Sequence, residues 1–403
     1  MPKSSKIDRR LIIVLLIVFV DLLGFGMIIP LLALYARHFG ATGFQLAIFG
    51  CMYSLMQFIF SPFWGSLSDR FGRRPILLFS LLGSSLSYLV FGFANSFAWL
   101  LVSRALAGIF TANISTAHAY ITDITKPNER IKYMGLVGAA IGLGFTVGPA
   151  FGGICAKYWG FASPGFIASA ICALNFLAAI YFLAESKLDL GNSNKGRSLS
   201  LMNLDFAATR RAFSQRNLAV FLITGFLATF AFSHLEQSFS LLLQEKLSLT
   251  TIEAAFQGGM LLLSMGVVGV VVQGMLISKI TAKWGEKNVL LAGALLNSLA
   301  LPLFSISKTY PAFILSGIPI AIGSALINPC VSSLVSKEAN SERRGEVFGV
   351  SQSLASLARV FGPFSGLSAF GILPTLPLFI ASGLYIILYV NIIVRVPEKS
   401  DSI

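Results

Sequence analysis

Residues 67–74 read Leu67-Ser68-Asp69-Arg70-Phe71-Gly72-Arg73-Arg74 and stand between two long apolar runs. Residues 280–287, Ile280-Thr281-Ala282-Lys283-Trp284-Gly285-Glu286-Lys287, occupy the same setting in the second half of the chain. A second echo follows each. Asn128-Glu129-Arg130 leads to Gly135 and, thirteen residues on, to Gly148-Pro149. Glu342-Arg343-Arg344 leads to Gly349 and, thirteen residues on, to Gly362-Pro363. Both echoes recur after six apolar runs, so the chain reads as two similar halves laid in the same direction.

The apolar runs decide what solvent those halves live in. A helix needs about 20 apolar residues to cross a bilayer. Stretches of that kind fall at 11–36, 44–64, 75–94, 97–121, 132–156, 163–184, 218–241, 253–278, 287–307, 310–335, 346–370 and 374–395. Only 12% of the 403 residues are charged and 55% are hydrophobic, with a mean hydropathy of +0.79. A soluble chain carries about twice that charge. The expected fold is therefore an all-α membrane protein of twelve transmembrane helices in two six-helix halves, 1–184 and 218–403. A cytoplasmic linker, 185–217, joins them. It is polar around Gly191 to Gly196 and helix-like from about Leu201 to Phe213, as an interfacial helix would be. Parallel repeats of this kind, related by an axis along the membrane normal, are a transporter architecture. The basic start, Met1 to Arg10, leads into an apolar run too long for a signal peptide.

The formal net charge of +13 is a matter of topology here, not of nucleic-acid binding. Lys and Arg crowd the loops on one side: Arg9 and Arg10, Arg70 to Arg74, Lys126 and Arg130, the linker, Lys279 to Lys287, and Lys337 to Arg344. The other side holds only Arg37, Lys157, Lys246 and Lys308. The positive-inside rule then predicts that both termini and the linker are cytoplasmic. A bacterial-type inner membrane fits, with the chain multi-pass and monomeric. The four cysteines lie in or beside apolar segments without metal-like spacing and read as small core residues. No metal and no cofactor is expected.

At these residues the sequence resembles the major facilitator superfamily. Gly65-Ser66-Leu67-Ser68-Asp69-Arg70-Phe71-Gly72-Arg73-Arg74-Pro75 is similar to that family's signature between its second and third helices. Gly144, Gly148, Pro149, Gly152 and Gly153 resemble the glycine–proline motif of its proton-coupled exporters. Arg104 with Gly108 resembles its arginine–glycine motif, and Asp21, Gly24, Gly26 and Pro30 its drug-exporter motif in the first helix. The run from Ala119-Tyr120-Ile121-Thr122-Asp123 through Arg130 and Gly135 to Gly153 looks most like the tetracycline–proton antiporter branch. The second half departs from the loop pattern, because Ala282 stands where Asp69 stands in the first.

Three charged residues are candidates for proton coupling. Asp21 lies near the middle of the first span, where a carboxylate costs several kcal/mol unless it is paired, protonated or wetted. Desolvation favours its neutral form, so it suits a proton carrier; a structural acid held by backbone donors is the alternative. Arg104 could hold that acid's charged form or bind an anion, or simply hydrogen-bond carbonyls. By helix counting it lies nearer the outer face than Asp21. Glu236, in the seventh span, is a second proton site, a contact for a cationic drug, or a residue of the outer mouth. For the loop, the resemblance implies a latch of Gly65, Asp69, Arg70, Gly72, Arg73, Arg74 and Asp123. Gly65 and Gly72 would permit close approach and a sharp turn. Asp69 would face the positive N-terminus of a helix of the other half, the eleventh being the candidate, and Arg73 would bridge Asp69 to Asp123. The alternative is a solvated turn that sets topology by its charge.

Gly144, Gly148 and Gly152 recur every four residues, which lets helices pack closely; the expected role is a tight seal against a second-half helix on the outer side, with ordinary helix packing as a compatible alternative, Pro149 as a kink and Gly153 beside it. Gln57, Asn113, His118, His234, Gln237, Gln257 and Asn328 are polar positions that could line a cargo cavity. His118 could titrate near neutral pH, but it reads more readily as a satisfied bundle histidine. The expected function is proton-coupled export of small amphipathic compounds, multidrug or tetracycline-like. Import or export of a specific metabolite is the competing expectation. The expected partners are protons, a small-molecule substrate and the lipid bilayer. An ATP-driven pump lacks its phosphate loop, and the three histidines sit in separate segments, which argues against a membrane enzyme.

Overall fold

The computed structural model describes residues 9–111, 113–125, 130–186, 206–339 and 344–396. These are helical, in the order α1 (Arg9–Ile28), α2 (Leu32–His38), α3 (Gly43–Phe71), α4 (Arg73–Gly92), α5 (Phe97–Ile109), α6 (Asn113–Ile124), α7 (Arg130–Trp159) and α8 (Ser163–Phe182). There follow α9 (Phe206–Ser214), α10 (Arg216–Lys246), α11 (Thr251–Val271), α12 (Ile277–Ile306), α13 (Tyr310–Glu338), α14 (Arg344–Ile372) and α15 (Leu376–Arg395). Among the described residues nine helical stretches are long and apolar enough to cross a membrane, one of them, Thr251–Ile306, covering two of the expected spans. The chain is thus a multi-pass, all-α membrane protein.

Local chemistry explains the interruptions. Pro30 has no N–H to continue α1, and a 3-10 turn, Ile29–Leu31, carries the chain into α2. The expected fourth span, 97–121, is two helices instead of one. Trp64 Nε1 donates to the Ile109 carbonyl at 2.5 Å and Ser80 Oγ donates to the Phe110 carbonyl. Side chains thus take the carbonyls that a continuous helix would use. α11 starts on a capping box: Thr250 N–H donates to Glu253 Oε2 at 3.0 Å, and Glu253 N–H to Thr250 Oγ1 at 3.3 Å. The linker helix expected from Leu201 appears as α9 from Phe206; residues 187–205 lie outside the described residues, as do Lys126, Asn128 and Arg343.

Contacts divide the chain into two compact units, Met1–Leu31 with Met52–Asn203, and Leu32–Cys51 with Leu204–Ile403. In the first unit α7 lies along α1 and α4 along α8; in the second α14 lies along α10 and α12 along α15. One detail repeats closely. Ser85 Oγ on α4 donates to the Ser169 carbonyl on α8 at 2.9 Å, and Ser382 Oγ on α15 donates to the Ser298 carbonyl on α12 at 2.6 Å; each pair is 84 residues apart.

The glycine stripe of α7 packs within its own unit, the ordinary helix packing that stood as the alternative reading. A Cβ built at Gly144 would lie 2.8 Å from Leu22 Cβ, one at Gly148 2.7 Å from the Leu23 carbonyl oxygen, and one at Gly152 would overlap the Met27 carbonyl oxygen. The stripe therefore seats α1 of its own unit. Gly26 meets it reciprocally: its Cβ would lie 3.1 Å from Pro149 Cδ and 3.2 Å from Gly148 Cα. With glycine on both sides the backbones touch, which is how helices gain contact in lipid, where apolar burial gives no drive. Gly153 is buried beside the stripe. In the second unit Gly362 meets α10 the same way, its Cβ position 2.5 Å from Ser233 Cβ.

Gly152→Ala should therefore destabilise the purified protein by about 1–3 kcal/mol, because the obstacle is backbone and cannot rotate away. Gly142→Ala, where a Cβ meets nothing within 4 Å, should be neutral or gain up to about 1 kcal/mol of helix propensity. Thermal unfolding of both variants in one detergent makes the comparison; equal melting temperatures would remove the stripe from its structural role.

Candidate functional site

The first unit holds a line of polar groups inside its apolar core. Ser84, Tyr88 and Phe91 share one face of α4, at spacings of four and three residues. Ser84 Oγ donates to Asp21 Oδ1 on α1 at 3.4 Å. Gly24 makes room for the Tyr88 ring, which would lie 3.1 Å from a Cβ there. Next along α4, Phe91 carries Arg104 of α5, whose Cζ is 5.4 Å from the ring centroid. Gly108, one turn after Arg104, lets α5 press on α3: its Cβ would overlap the Tyr53 carbonyl oxygen. Asp21 is 7% exposed and Arg104 1%. Tyr88 interacts electrostatically with both. None of the three guanidinium nitrogens of Arg104 has a hydrogen-bond partner among the described residues. From Ser84 to Phe91 the helix rises about 10 Å, so acid and base sit at two levels of one face.

The loop after α3 forms a compact ionic cluster. Arg73 Nη2 pairs with Asp69 Oδ1 at 2.7 Å and Arg73 Nε with Asp123 Oδ2 at 3.1 Å, while Arg73 Nη1 donates to Ser68 Oγ at 2.7 Å. Arg74 Nη2 donates to the Ile180 carbonyl at 2.7 Å. Arg70 lies over the Phe71 ring, its Cζ at 5.6 Å. Sequence reasoning passed over Glu185. Its carboxylate accepts the backbone N–H groups of Arg73 and Arg74 at 2.9 and 3.1 Å, so it caps α4 where the helix dipole is positive. It also explains Gly72. That residue has φ +97, and a Cβ would lie 2.6 Å from Glu185 Oε2; conformation and space both demand glycine. Gly65 is a correction: it sits inside α3, a Cβ there would meet nothing within 4 Å, and it serves neither close approach nor turn.

The second unit builds the same corner with the charges exchanged. Gly285, at φ +75, breaks α12 as Gly72 ends α3. Glu286, in the place of Arg73, pairs with Lys337 Nζ at 2.8 Å and accepts from Ser333 Oγ at 2.8 Å, both on α13. Lys287, in the place of Arg74, donates to the Val396 carbonyl at 2.5 Å. Ala282 removes only the counterpart of Asp69, so the corner survives its loss.

The other expected residues are dispersed. Glu236 of α10 is half-buried and interacts electrostatically with Arg359 of α14. Arg359 was overlooked, although it is the one basic residue inside the stretch 346–370. His234 is fully buried: Nδ1 meets the Phe230 carbonyl at 2.8 Å and Nε2 meets Ser365 Oγ at 3.1 Å, tying α10 to α14. His118 Nδ1 lies 2.9 Å from Met134 Sδ. The Gln257 carbonyl accepts from Tyr310 OH at 3.1 Å, and the Asn328 carbonyl accepts from Ser332 Oγ at 3.1 Å. Gln237 lies beside Gly50, and Gln57 is half-buried on α3. The Asn113 side chain lies outside the described residues. No hydrogen bond joins any two of these polar residues among those described. A separate cavity of about 310 Å³ in the second unit is lined by Leu34, Arg37, His38, Gln244, Glu245 and Thr251, with Arg37 Nη1 paired to Glu245 Oε1 at 2.9 Å.

If Glu286–Lys337 is the charge-exchanged equivalent of Arg73–Asp123, reversing it should be tolerated. Glu286→Lys alone should destabilise by up to about 1 kcal/mol, the range of a part-exposed pair. Adding Lys337→Glu should restore most of that loss. A double-mutant cycle on thermal stability measures the coupling; additive losses would show that the two side chains are independent.

The sequence matches the family described as Major Facilitator Superfamily over residues 14–363. It is 31% identical to the tetracycline resistance protein, class B, of Escherichia coli, over 87% of this chain and 86% of that one. It is also 31% identical to multidrug resistance protein 2 of Bacillus subtilis (strain 168), over 91% and 90%. The crystal structure of the human organic anion transporter MFSD10 (TETRAN) superposes with a TM-score of 0.68 at 27% identity, covering 95% of this chain and 99% of that one. The nucleoside transporter NupG, at 12% identity and a TM-score of 0.77, covering 96% and 99%, shares the fold. The chain belongs to the Major Facilitator Superfamily.

Proposed function

We propose that this transporter exports small amphipathic compounds in exchange for protons, by alternating access of two six-helix halves, 1–184 and 218–403, joined through 185–217. The observation that carries it is Asp21, buried in α1 with the Ser84 hydroxyl beside its carboxyl. A hydroxyl both donates and accepts. It can donate to the carboxylate and accept from the protonated acid, so the site suits either protonation state. Protonation removes the charge that is costly at this depth, which is the property a proton carrier needs. Relatives named for tetracycline and multidrug resistance favour export of drug-like compounds.

In this scheme Glu236, with Arg359 as its counter-charge, is a second acid of the cycle. The Asp69–Arg73–Asp123 cluster acts as a cytoplasmic latch. Arg73 is largely buried and held from two sides, whereas the Asp69 side chain is 50% exposed. That exposure leaves Asp69 a face for the positive N-terminus of α14 in one state of the cycle. Both termini lie in the cytoplasm of a bacterial-type inner membrane, and the working unit is a monomer.

Proteoliposomes carrying a pH gradient and presented with tetracycline test the scheme. Wild-type protein should accumulate the drug against its gradient, and Asp21→Asn should abolish the gradient-driven component while leaving downhill exchange. Asp69→Asn should slow turnover by about tenfold, equivalent to about 1.4 kcal/mol on the rate-limiting step. Unchanged gradient-driven accumulation by Asp21→Asn would remove that residue from coupling. Folded wild-type protein that does not move tetracycline would redirect the search to a specific metabolite.

A further inference from the structure

Arg104 is a buried charge whose geometry the proton scheme leaves unexplained. Its side chain is 1% exposed, and Nε, Nη1 and Nη2 lack hydrogen-bond partners among the described residues. A guanidinium offers five N–H donors in a plane and keeps its charge at every accessible pH. Leaving such a group buried with no acceptor is among the most unfavourable arrangements a fold can contain. Its neighbours are aromatic. Phe91 lies under it, with 5.4 Å from Cζ to the ring centroid, and Tyr88 and Tyr53 interact with it electrostatically. Phe25 packs against Tyr53, centroids 4.7 Å apart. The Tyr53 hydroxyl is itself engaged by Thr111 Oγ1 at 2.8 Å. Asp21 sits a further two turns along α4, so its carboxyl does not occupy the guanidinium.

We propose that Arg104 anchors an anionic oxygen group of the transported compound, a carboxylate, sulfonate or enolate carried on an aromatic body. The planar fork matches two oxygens at once, which a lysine would not. Arg104 is 1% exposed here, so the compound would reach it when the packed rings part, and those rings would then give flat apolar walls to the rest of the molecule, as small-molecule sites do. A purely cationic compound is repelled by the same charge. The proposal rests on the chain's being a transporter, but not on proton coupling, so the two can fail separately.

The test is binding, measured without any gradient. The full chain in lipid nanodiscs is titrated with 8-anilinonaphthalene-1-sulfonate and with N-phenyl-1-naphthylamine, which shares the skeleton but lacks the sulfonate; empty nanodiscs give the blank. Arg104→Met should weaken the sulfonate probe by about tenfold or more, the worth of a charge-assisted contact. It should leave the neutral probe nearly unchanged. Arg104→Met should also melt at or above the wild-type temperature, because an unpartnered charge has gone. Arg104→Lys should recover only part of the sulfonate affinity. Sulfonate binding that survives Arg104→Met, or an equal loss of both probes, would overturn the proposal. So would an Arg104→Met protein that fails to fold, since the guanidinium would then be holding the bundle together. Displacement of the sulfonate probe by equimolar chloride or phosphate would assign the site to a free inorganic anion and overturn it as well.

Discussion

Inside a bilayer no water stands ready to satisfy an unpaired polar group, and the rest of this structure follows from that constraint. The backbone meets it by being helical wherever it is apolar. Where a helix is interrupted within the apolar core, side chains take over: Trp64 and Ser80 reach the carbonyls at the end of α5. Charged side chains within the apolar stretches then stand out, because a charge in such a setting is expensive. Asp21, Arg104, Glu236 and Arg359 are few against so much apolar sequence, and each needs a reason to be there.

The two units show how a repeat can keep geometry while changing chemistry. A left-handed glycine, a charged residue reaching the end of a neighbouring helix, and a basic residue reaching a carbonyl recur at Gly72-Arg73-Arg74 and Gly285-Glu286-Lys287. Arg73 finds Asp123; Glu286 finds Lys337. What persists is the position of opposite charges, not their sign. A corner of this kind ties helices within one unit and so holds that unit rigid. The glycine contacts of α7 on α1 and of α14 on α10 serve the same end, since backbone against backbone leaves little room for slippage.

Much of the fold was legible because the bilayer imposes it on hydropathy. The apolar stretches, the basic loops and the echoes at 67–74 and 280–287 could be read directly. Less legible was anything that depended on a long-range partner. The four-residue glycine spacing announced a close helix contact, but only the structure shows that α1 supplies it, with Gly26 as the matching notch. Glu185 closes over Gly72 from the end of α8, more than a hundred residues away, and its only sequence trace was an acid just past an apolar run. The division of 97–121 into α5 and α6 depends on side chains from α3 and α4 that no local pattern reports. Arg359 had a clear trace, a lone cation inside an apolar stretch, but its meeting with Glu236 depends on α14 lying along α10, which no local pattern reports.

The proposed mechanism places the exchange of proton for compound at Asp21, and proton release on binding addresses that most directly. Purified wild-type protein in weakly buffered solution, at a pH where Asp21 is protonated, should release about one proton per molecule when tetracycline saturates it, and Asp21→Asn should release none. Saturable tetracycline binding with no proton release, or equal release from the variant, would contradict the assignment of Asp21 as the coupling group.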